Sequence, residues 1–320
     1  MSRRVIVSLS GGLGNQLFQV TAALFLSGGN PVILDQSLGR PRLDGDARPE
    51  VLNFSFPVEL KTLKKSKFAW FARKCVGYNL RMNVSPRAYE KIGIVKVLIQ
   101  KITSVVILFF FGKRLVIEAC QGLGYYEANH KERPALMIGY FQSYHWANSG
   151  LSENIDKGVK LLDFSHEFSK LRDKMLEEAP VVVHMRRGDY LNEDHFGILD
   201  DRYYSTALQM LNEEQEISKI WLFTDSPEGI LASLPPKYRA MAFVVPDKDI
   251  SPSETLELMR YGRAYVIANS SFSWWGAYLR MNHRASVYAP KKWFKGMEDP
   301  ADLIPPDWRI VPIANPFKEI

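Results

Sequence analysis

Cysteine is almost absent from the 320 residues: only Cys75 and Cys120 occur. This excludes a disulfide framework and any zinc site built on cysteine pairs, and it makes a reducing compartment the expected home. Long apolar runs are also missing. The most apolar stretch, Ile102 to Phe111, is ten residues, half of the roughly twenty that cross a bilayer. Behind the basic Ser2-Arg3-Arg4, the first apolar run stops at a glycine turn, too soon for a signal-peptide core. Secretion is therefore not expected. There is no internal repeat and no low-complexity segment. Acidic residues are nearly missing from one region: Lys61 to Arg114 holds thirteen Lys and Arg against the single acid Glu90, a balance of +12 within a chain of net charge +6.

What is present is an ordinary globular balance, 46% hydrophobic and 24% charged, in a chain long enough for two domains with full cores. Val5 to Ser10 reads as a strand. The glycine turn Gly11-Gly12-Leu13-Gly14-Asn15-Gln16 follows, then a helical pattern from Leu17 to Leu26 and a second strand, Pro31 to Asp35. In the second half, strands are expected at Val181 to Met185, Lys219 to Phe223, Ala242 to Val245, Ala264 to Ala268 and Ser286 to Ala289. Helices are expected between them at Arg202 to Asn212, Ser253 to Tyr261 and Ser273 to Met281. Such alternation implies a parallel sheet covered by helices, with ligands at the carboxyl ends of the strands. The domain boundary is expected between Leu151 and Pro180, giving domains of 1–160 and 161–320 with a basic insertion at 61–114. The insertion's apolar stretch from Ile92 to Phe111 is either an ordinary buried helix or strand, or part of a basic, aromatic face resting on anionic lipid, a reading whose signature is salt-dependent binding to anionic vesicles.

The segment Val181 to Tyr190 is the most informative. A buried-type strand, Val181-Val182-Val183-His184-Met185, delivers Arg186 and Arg187 into a loop kinked at Gly188. Arginine keeps its proton and presents a planar fork of donors, so the pair suits a diphosphate; the alternative is a surface salt bridge. Near the end, Asn269-Ser270-Ser271-Phe272-Ser273-Trp274-Trp275 joins a strand to a helix whose first turn is rich in hydroxyls and unpaired N–H groups, which suits an anion.

Three words, GGLGNQLFQ at 11 to 19, HMRRGDY at 184 to 190 and NSSFSWWGAYL at 269 to 279, together resemble glycosyltransferase family 11, the α-1,2-fucosyltransferases, and the bacterial members in particular. Two weaker words, Gly139-Tyr140-Phe141-Gln142-Ser143 and Phe223-Thr224-Asp225-Ser226, fall in the expected order between them. The chain departs from that pattern twice. Ser226 stands where relatives carry a second acid after Asp225, and Thr255 follows Glu254 where they carry an aspartate.

The resemblance implies an α/β fold of GT-B architecture, two Rossmann-like domains facing a cleft, and an inverting, metal-independent transfer of L-fucose from GDP-fucose to the 2-hydroxyl of a terminal galactose in a bacterial surface glycan. The acceptor is expected to be lipid-linked if the basic insertion docks on the inner face of the cell membrane. Arg187, with Arg186, is implied on the β-phosphate. Ser270, Ser271 and the first N–H groups of the helix that carries Trp274, Phe272 among them, complete the anion cradle, and His184 is either a donor contact or a satisfied strand residue. Asp225 and Ser226 are expected at the nucleoside. Asp189 either orients an arginine or takes the acceptor proton, and Glu193 and Asp194, with His195, are the rival bases. Gly11, Gly12 and Gly14 are expected to let the backbone approach the reacting sugar, with Asn15, a candidate catalytic residue, and Gln16 lining the cleft from the first domain; the alternative is a plain tight strand-to-helix turn. Trp274 and Trp275 offer rings for stacking, but an aromatic pair in a helix more often belongs to a core, so at least one of them is expected to be buried.

Competing readings fit less well. A dinucleotide oxidoreductase needs a third glycine where Leu17 stands. The pairs Asp44-Gly45-Asp46 and Asp247-Lys248-Asp249 lie in turn-like surroundings. A glycan-binding protein leaves the loop at 11 to 16 without a role. An α-1,6 or protein O-fucosyltransferase differs only in the acceptor hydroxyl.

Overall fold

A computed structural model describes residues 5–36, 49–62, 102, 115–117, 136–151, 159–188, 196–246, 248–296 and 298–318. The chain divides into two compact units, one of Met1–Val159 with Pro300–Leu303 and the other of Lys160–Asp299 with Ile304–Ile320. Apart from Lys61, Thr62 and Ile102, the basic insertion expected at 61–114 lies outside the described residues.

The first unit is a parallel sheet of five short strands among the described residues. These are β1 (Val5–Ser8), β2 (Val32–Asp35), β3 (Leu60–Thr62), β4 (Leu115–Ile117) and β5 (Leu136–Ile138), in the spatial order β3-β2-β1-β5-β4. Helix α1 (Leu13–Ser27) links β1 to β2 and buries almost its whole circumference, as a helix held between a sheet and another helix must. That second helix is α2 (Tyr144–Leu151), whose Trp146 is fully buried against the edges of Phe25 and Phe141. α1 begins four residues earlier than its apolar period suggests. Gly14, Asn15 and Gln16 therefore form its first turn and are not part of a loop.

The second unit carries α3 (His166–Glu178), β6 (Val181–Met185), α4 (Asp201–Glu214), β7 (Ile220–Thr224), α5 (Pro236–Arg239), β8 (Ala242–Val244), α6 (Pro252–Met259), β9 (Ala264–Val266), α7 (Ser271–Tyr278), β10 (Val287–Pro290) and β11 (Arg309–Val311). Its sheet is parallel throughout, in the order β8-β7-β6-β9-β10-β11. All five residues of β6 and all five of β7 are buried, because helices cover both faces of a central parallel strand. Side-chain caps start the helices: Asp200 accepts from the Tyr203 N–H, Ser165 from Phe168, and Ser251 from Glu254 in a reciprocal capping box. The Glu254 carboxylate also accepts from the Ser165 N–H at 2.5 Å, tying the starts of α3 and α6 together.

Numbered within the unit, the strand order is 3-2-1-4-5-6. The direction of winding reverses between β6 and β9, so the chain leaves these two adjacent strands toward opposite faces and opens a crevice at their carboxyl ends. Arg186 directly follows β6, and Ser270 closes the short link from β9 to α7.

Candidate active site

At the crevice of the second unit one carboxylate organises the arginine loop. Asp225, one residue past β7, accepts from the backbone N–H of Arg187 at 2.9 Å and of Gly188 at 3.1 Å, and its Oδ2 lies 3.2 Å from Nε of Arg186. A Cβ at Gly188 would sit 2.8 Å from the same carboxylate oxygen, so a side chain there would push Asp225 away from the loop it holds. Arg187 points the other way. Its Nη2 donates to Asp201 at the start of α4 and to Ser233 at 2.8 Å, and its side chain is only 15% exposed. Among the described residues, Nε and Nη1 of Arg187 meet no acceptor. The guanidinium is thus anchored through one nitrogen and keeps two donors for an anion.

His184 is buried in β6, with its ring 6.1 Å from that of Phe272. Its Nδ1 has no hydrogen-bond partner among the described residues. Burial, reinforced by the Arg186 charge and only partly opposed by Asp225, lowers its pKa to about 3, so the imidazole is neutral at physiological pH. The sign of the consequence follows. Between about pH 6.5 and 3 the unfolded chain binds the proton that the folded chain refuses, so stability falls as the pH drops through that window. His184→Gln is expected to lose about 2 kcal/mol less than wild type between pH 7 and pH 5, read from urea midpoints at the two pH values. Parallel losses in the two proteins would mean that the imidazole is not held neutral.

α7 starts with Ser270, whose Oγ accepts from the Phe272 N–H at 3.4 Å, while Ser273 Oγ bonds back to the Ala268 and Ser270 carbonyls. Among the described residues the N–H groups of Ser271 and Ser273 have no acceptor. The open start of α7 and the arginine loop therefore meet at one crevice, joined through the His184–Phe272 contact. Ser226 donates its N–H to Thr224 Oγ1. Trp274 and Trp275 do not offer faces to a ligand; of the two readings the core one holds, and for both rings. Both are fully buried, Trp274 stacked on Tyr278 at 4.5 Å and lying 5.5 Å from Trp308.

Asn269 was not singled out from the sequence. It is 1% exposed, and its Nδ2 lies 2.9, 3.1 and 3.0 Å from the carbonyl oxygens of Phe196, Gly197 and Trp293. It ties the start of α7 to the chain that emerges from the candidate bases. Asp189, Glu193, Asp194 and His195 themselves lie outside the described residues.

In the first unit, Gly11 has φ +74° and Gly12 caps α1 in an extended conformation with open space where a Cβ would be. A backbone surface is thus exposed at Gly12 but not at Gly14, which is buried. Gln16 also departs from expectation. It is buried and braced, its Nε2 donating to the Gly11 carbonyl at 3.2 Å and its Oε1 accepting from the Val51 N–H at 3.2 Å, so it shapes the turn and does not line an open surface. Asn15 is half-buried and accepts at Oδ1 from Gln142 Nε2 at 2.9 Å. Among the described residues no group of three or more His, Cys, Asp or Glu is placed to hold a metal ion, and no helix is long and apolar enough to cross a membrane.

The family model described as "Glycosyl transferase family 11" matches residues 123–308. The chain is 26% identical over 311 residues to "O-antigen biosynthesis glycosyltransferase WbnK" of Escherichia coli, covering 90% of this chain and 94% of that protein. It is 30% identical over 158 residues to "Alpha-1,2-colitosyltransferase" of Escherichia coli, covering 46% of this chain and 52% of that protein. Among solved structures it is similar to that of NodZ alpha-1,6-fucosyltransferase soaked with GDP-fucose, at 13% identity and a TM-score of 0.42, over 86% of this chain and 92% of that one.

Proposed function

Because the chain belongs to glycosyltransferase family 11, we propose that it moves L-fucose from GDP-fucose to the 2-hydroxyl of a terminal galactose, with inversion and without a metal, in the synthesis of a surface polysaccharide such as an O-antigen. The observation that carries this reading is the arginine loop, pinned by Asp225 at the crevice between β6 and β9 beside the open first turn of α7. As the bond from sugar C1 to the diphosphate breaks, negative charge grows on the β-phosphate. The free edge of Arg187, the Arg186 guanidinium and the N–H groups of Ser271 and Ser273 are fixed donors that need no reorganisation to meet that charge. Neutral, buried His184 keeps its unpaired Nδ1 for the donor and takes no part as the base. The acceptor proton goes to a carboxylate in the segment of Asp189, Glu193 and Asp194. Asn15, at the first turn of α1, contacts the reacting sugars. The same reading places the enzyme in the cytoplasm, with the basic segment 61–114 resting on the anionic inner face of the membrane where a lipid-linked acceptor is presented.

A second reading has its own support. A relative named for α-1,2 transfer of colitose favours the same linkage made with another deoxyhexose donor. The experiment is release of GDP from GDP-fucose in the presence of lactose and EDTA, with product followed by mass spectrometry beside GDP-colitose, GDP-mannose and UDP-galactose. Fucosyl-lactose formed in EDTA is the expected result. Turnover of GDP-colitose alone selects the second reading. Loss of transfer in EDTA that magnesium restores overturns metal independence, and no turnover with any GDP-linked sugar overturns both donor readings.

A further inference from the structure

Gln142 lies on the short link between β5 and α2, 7% exposed, in a loop that is built at some strain. Gly139 has φ +154° and the fully buried Phe141 has φ +53°, a conformation side chains rarely take. α1 braces the loop from behind: Gln19 donates through Nε2 to the Gly139 carbonyl at 2.8 Å and to Ser10 Oγ at 2.8 Å, and its Oε1 accepts from the Ser10 N–H. What this arrangement delivers is one contact, Gln142 Nε2 to Asn15 Oδ1 at 2.9 Å. The remaining polar atom of the amide, Oε1, is buried with no partner among the described residues.

A buried amide that makes one hydrogen bond and leaves its oxygen without a partner is worse for folding than an apolar side chain of the same shape. Stability therefore does not explain a glutamine here, and its effect on Asn15 does. With Oδ1 occupied by Gln142, the Asn15 amide has a single orientation, Nδ2 outward as a pure donor, and among the described residues Nδ2 has no acceptor. Gly11 completes the seat. A Cβ there would collide with Asn15 Nδ2, so the glycine leaves the room that the amide occupies. We propose that Gln142 is a positioning residue for the transfer reaction, holding the Asn15 amide as a donor toward a hydroxyl or ring oxygen of the reacting sugars. The proposal rests on the functional reading above in placing Asn15 at those sugars.

The test is a double-mutant cycle with unfolding temperatures measured alongside kinetics. Gln142→Met keeps the length and removes the donor. It is expected to unfold at or above the wild-type temperature and to lose about tenfold in kcat, a misplacement effect, with KM for the donor little changed. In the Asn15→Ala background the same change is expected to cost less than about twofold, because the group it positions is gone. Gln142→Leu, which also cannot donate and buries no charge, should reproduce the kcat loss if the methionine variant folds poorly. Two results overturn the proposal: both variants unfolding well below wild type, which makes Gln142 a structural residue, or kcat losses that multiply independently of Asn15. The unfolding arm needs no substrate. A wild type that turns over no GDP-fucose therefore removes the fucose reading alone, and the cycle is then run on the nucleotide sugar that the wild type does use.

Discussion

Arg187→Ala is expected to lower kcat for sugar transfer by about 100- to 1000-fold while the unfolding temperature stays within a few degrees of wild type. The split between the two effects follows from the geometry. For stability, Arg187 contributes a contact with Asp201, whose side chain is 54% exposed, and a hydrogen bond to Ser233. Water replaces an exposed partner easily, and such pairs are worth little. For catalysis, its anchored Nη2 fixes the direction in which Nε and Nη1 point, and a preorganised cation costs no rearrangement as charge develops. Arg187→Lys should recover little, since one ammonium cannot hold Asp201 and Ser233 and also present a planar fork to a phosphate. Asp225→Asn should fall between wild type and the alanine variant, because an amide has one acceptor oxygen for the two N–H groups and the guanidinium that the carboxylate now serves. The measurements are steady-state kcat by GDP release and thermal unfolding of each variant. If Arg187→Ala transferred sugar within threefold of wild type, the crevice at β6 would not be where the leaving diphosphate is stabilised.

How far the sequence alone discloses this site differs between its parts. The strands β6 and β7 are legible because consecutive buried residues leave a continuous apolar run, and the arginines are legible because they interrupt it abruptly. α7 begins two residues before the expected Ser273, since Ser270 is its cap. α3 was not expected, although its buried Phe168, Leu171 and Met175 keep helical spacing; it falls in the stretch that reads as an inter-domain boundary. The short strands β3 and β11 are exposed at most positions and so carry no hydrophobic signature. An aromatic pair in a helix favours burial of at least one of Trp274 and Trp275, but the sequence does not show that both face inward; the burial of both, with Tyr278 and Trp308 packed around Trp274, does. Gln16 misleads for a related reason. A polar residue in a glycine turn suggests an open surface, and its role depends on Val51, 35 residues away. Contacts of that kind leave no local pattern, and Gln142 and Asn269 belong to the same class: each acts on chain that is distant in sequence.

Asn269 is where such a distant contact should matter most to stability. Its Nδ2 has two hydrogens for three carbonyl oxygens, those of Phe196, Gly197 and Trp293, so at least one hydrogen is shared. Asn269→Ala leaves these carbonyls, two of them at buried bonds, without that donor and is expected to cost about 2 to 4 kcal/mol. Asn269→Asp should cost more than alanine, because a carboxylate turned toward three carbonyl oxygens repels them and cannot donate. The order wild type, alanine, aspartate in urea unfolding at pH 7 is the check, and an aspartate variant as stable as alanine would mean that the three carbonyls are satisfied in another way. Activity should fall with stability for a specific reason. Asp225 holds the chain at Arg187 and Gly188, and Asn269 holds it at Phe196 and Gly197. The stretch between these anchors contains Asp189, Glu193 and Asp194, from which the proposed mechanism draws its base, so loosening one anchor is expected to lower kcat by about tenfold or more even at temperatures where the alanine variant is fully folded.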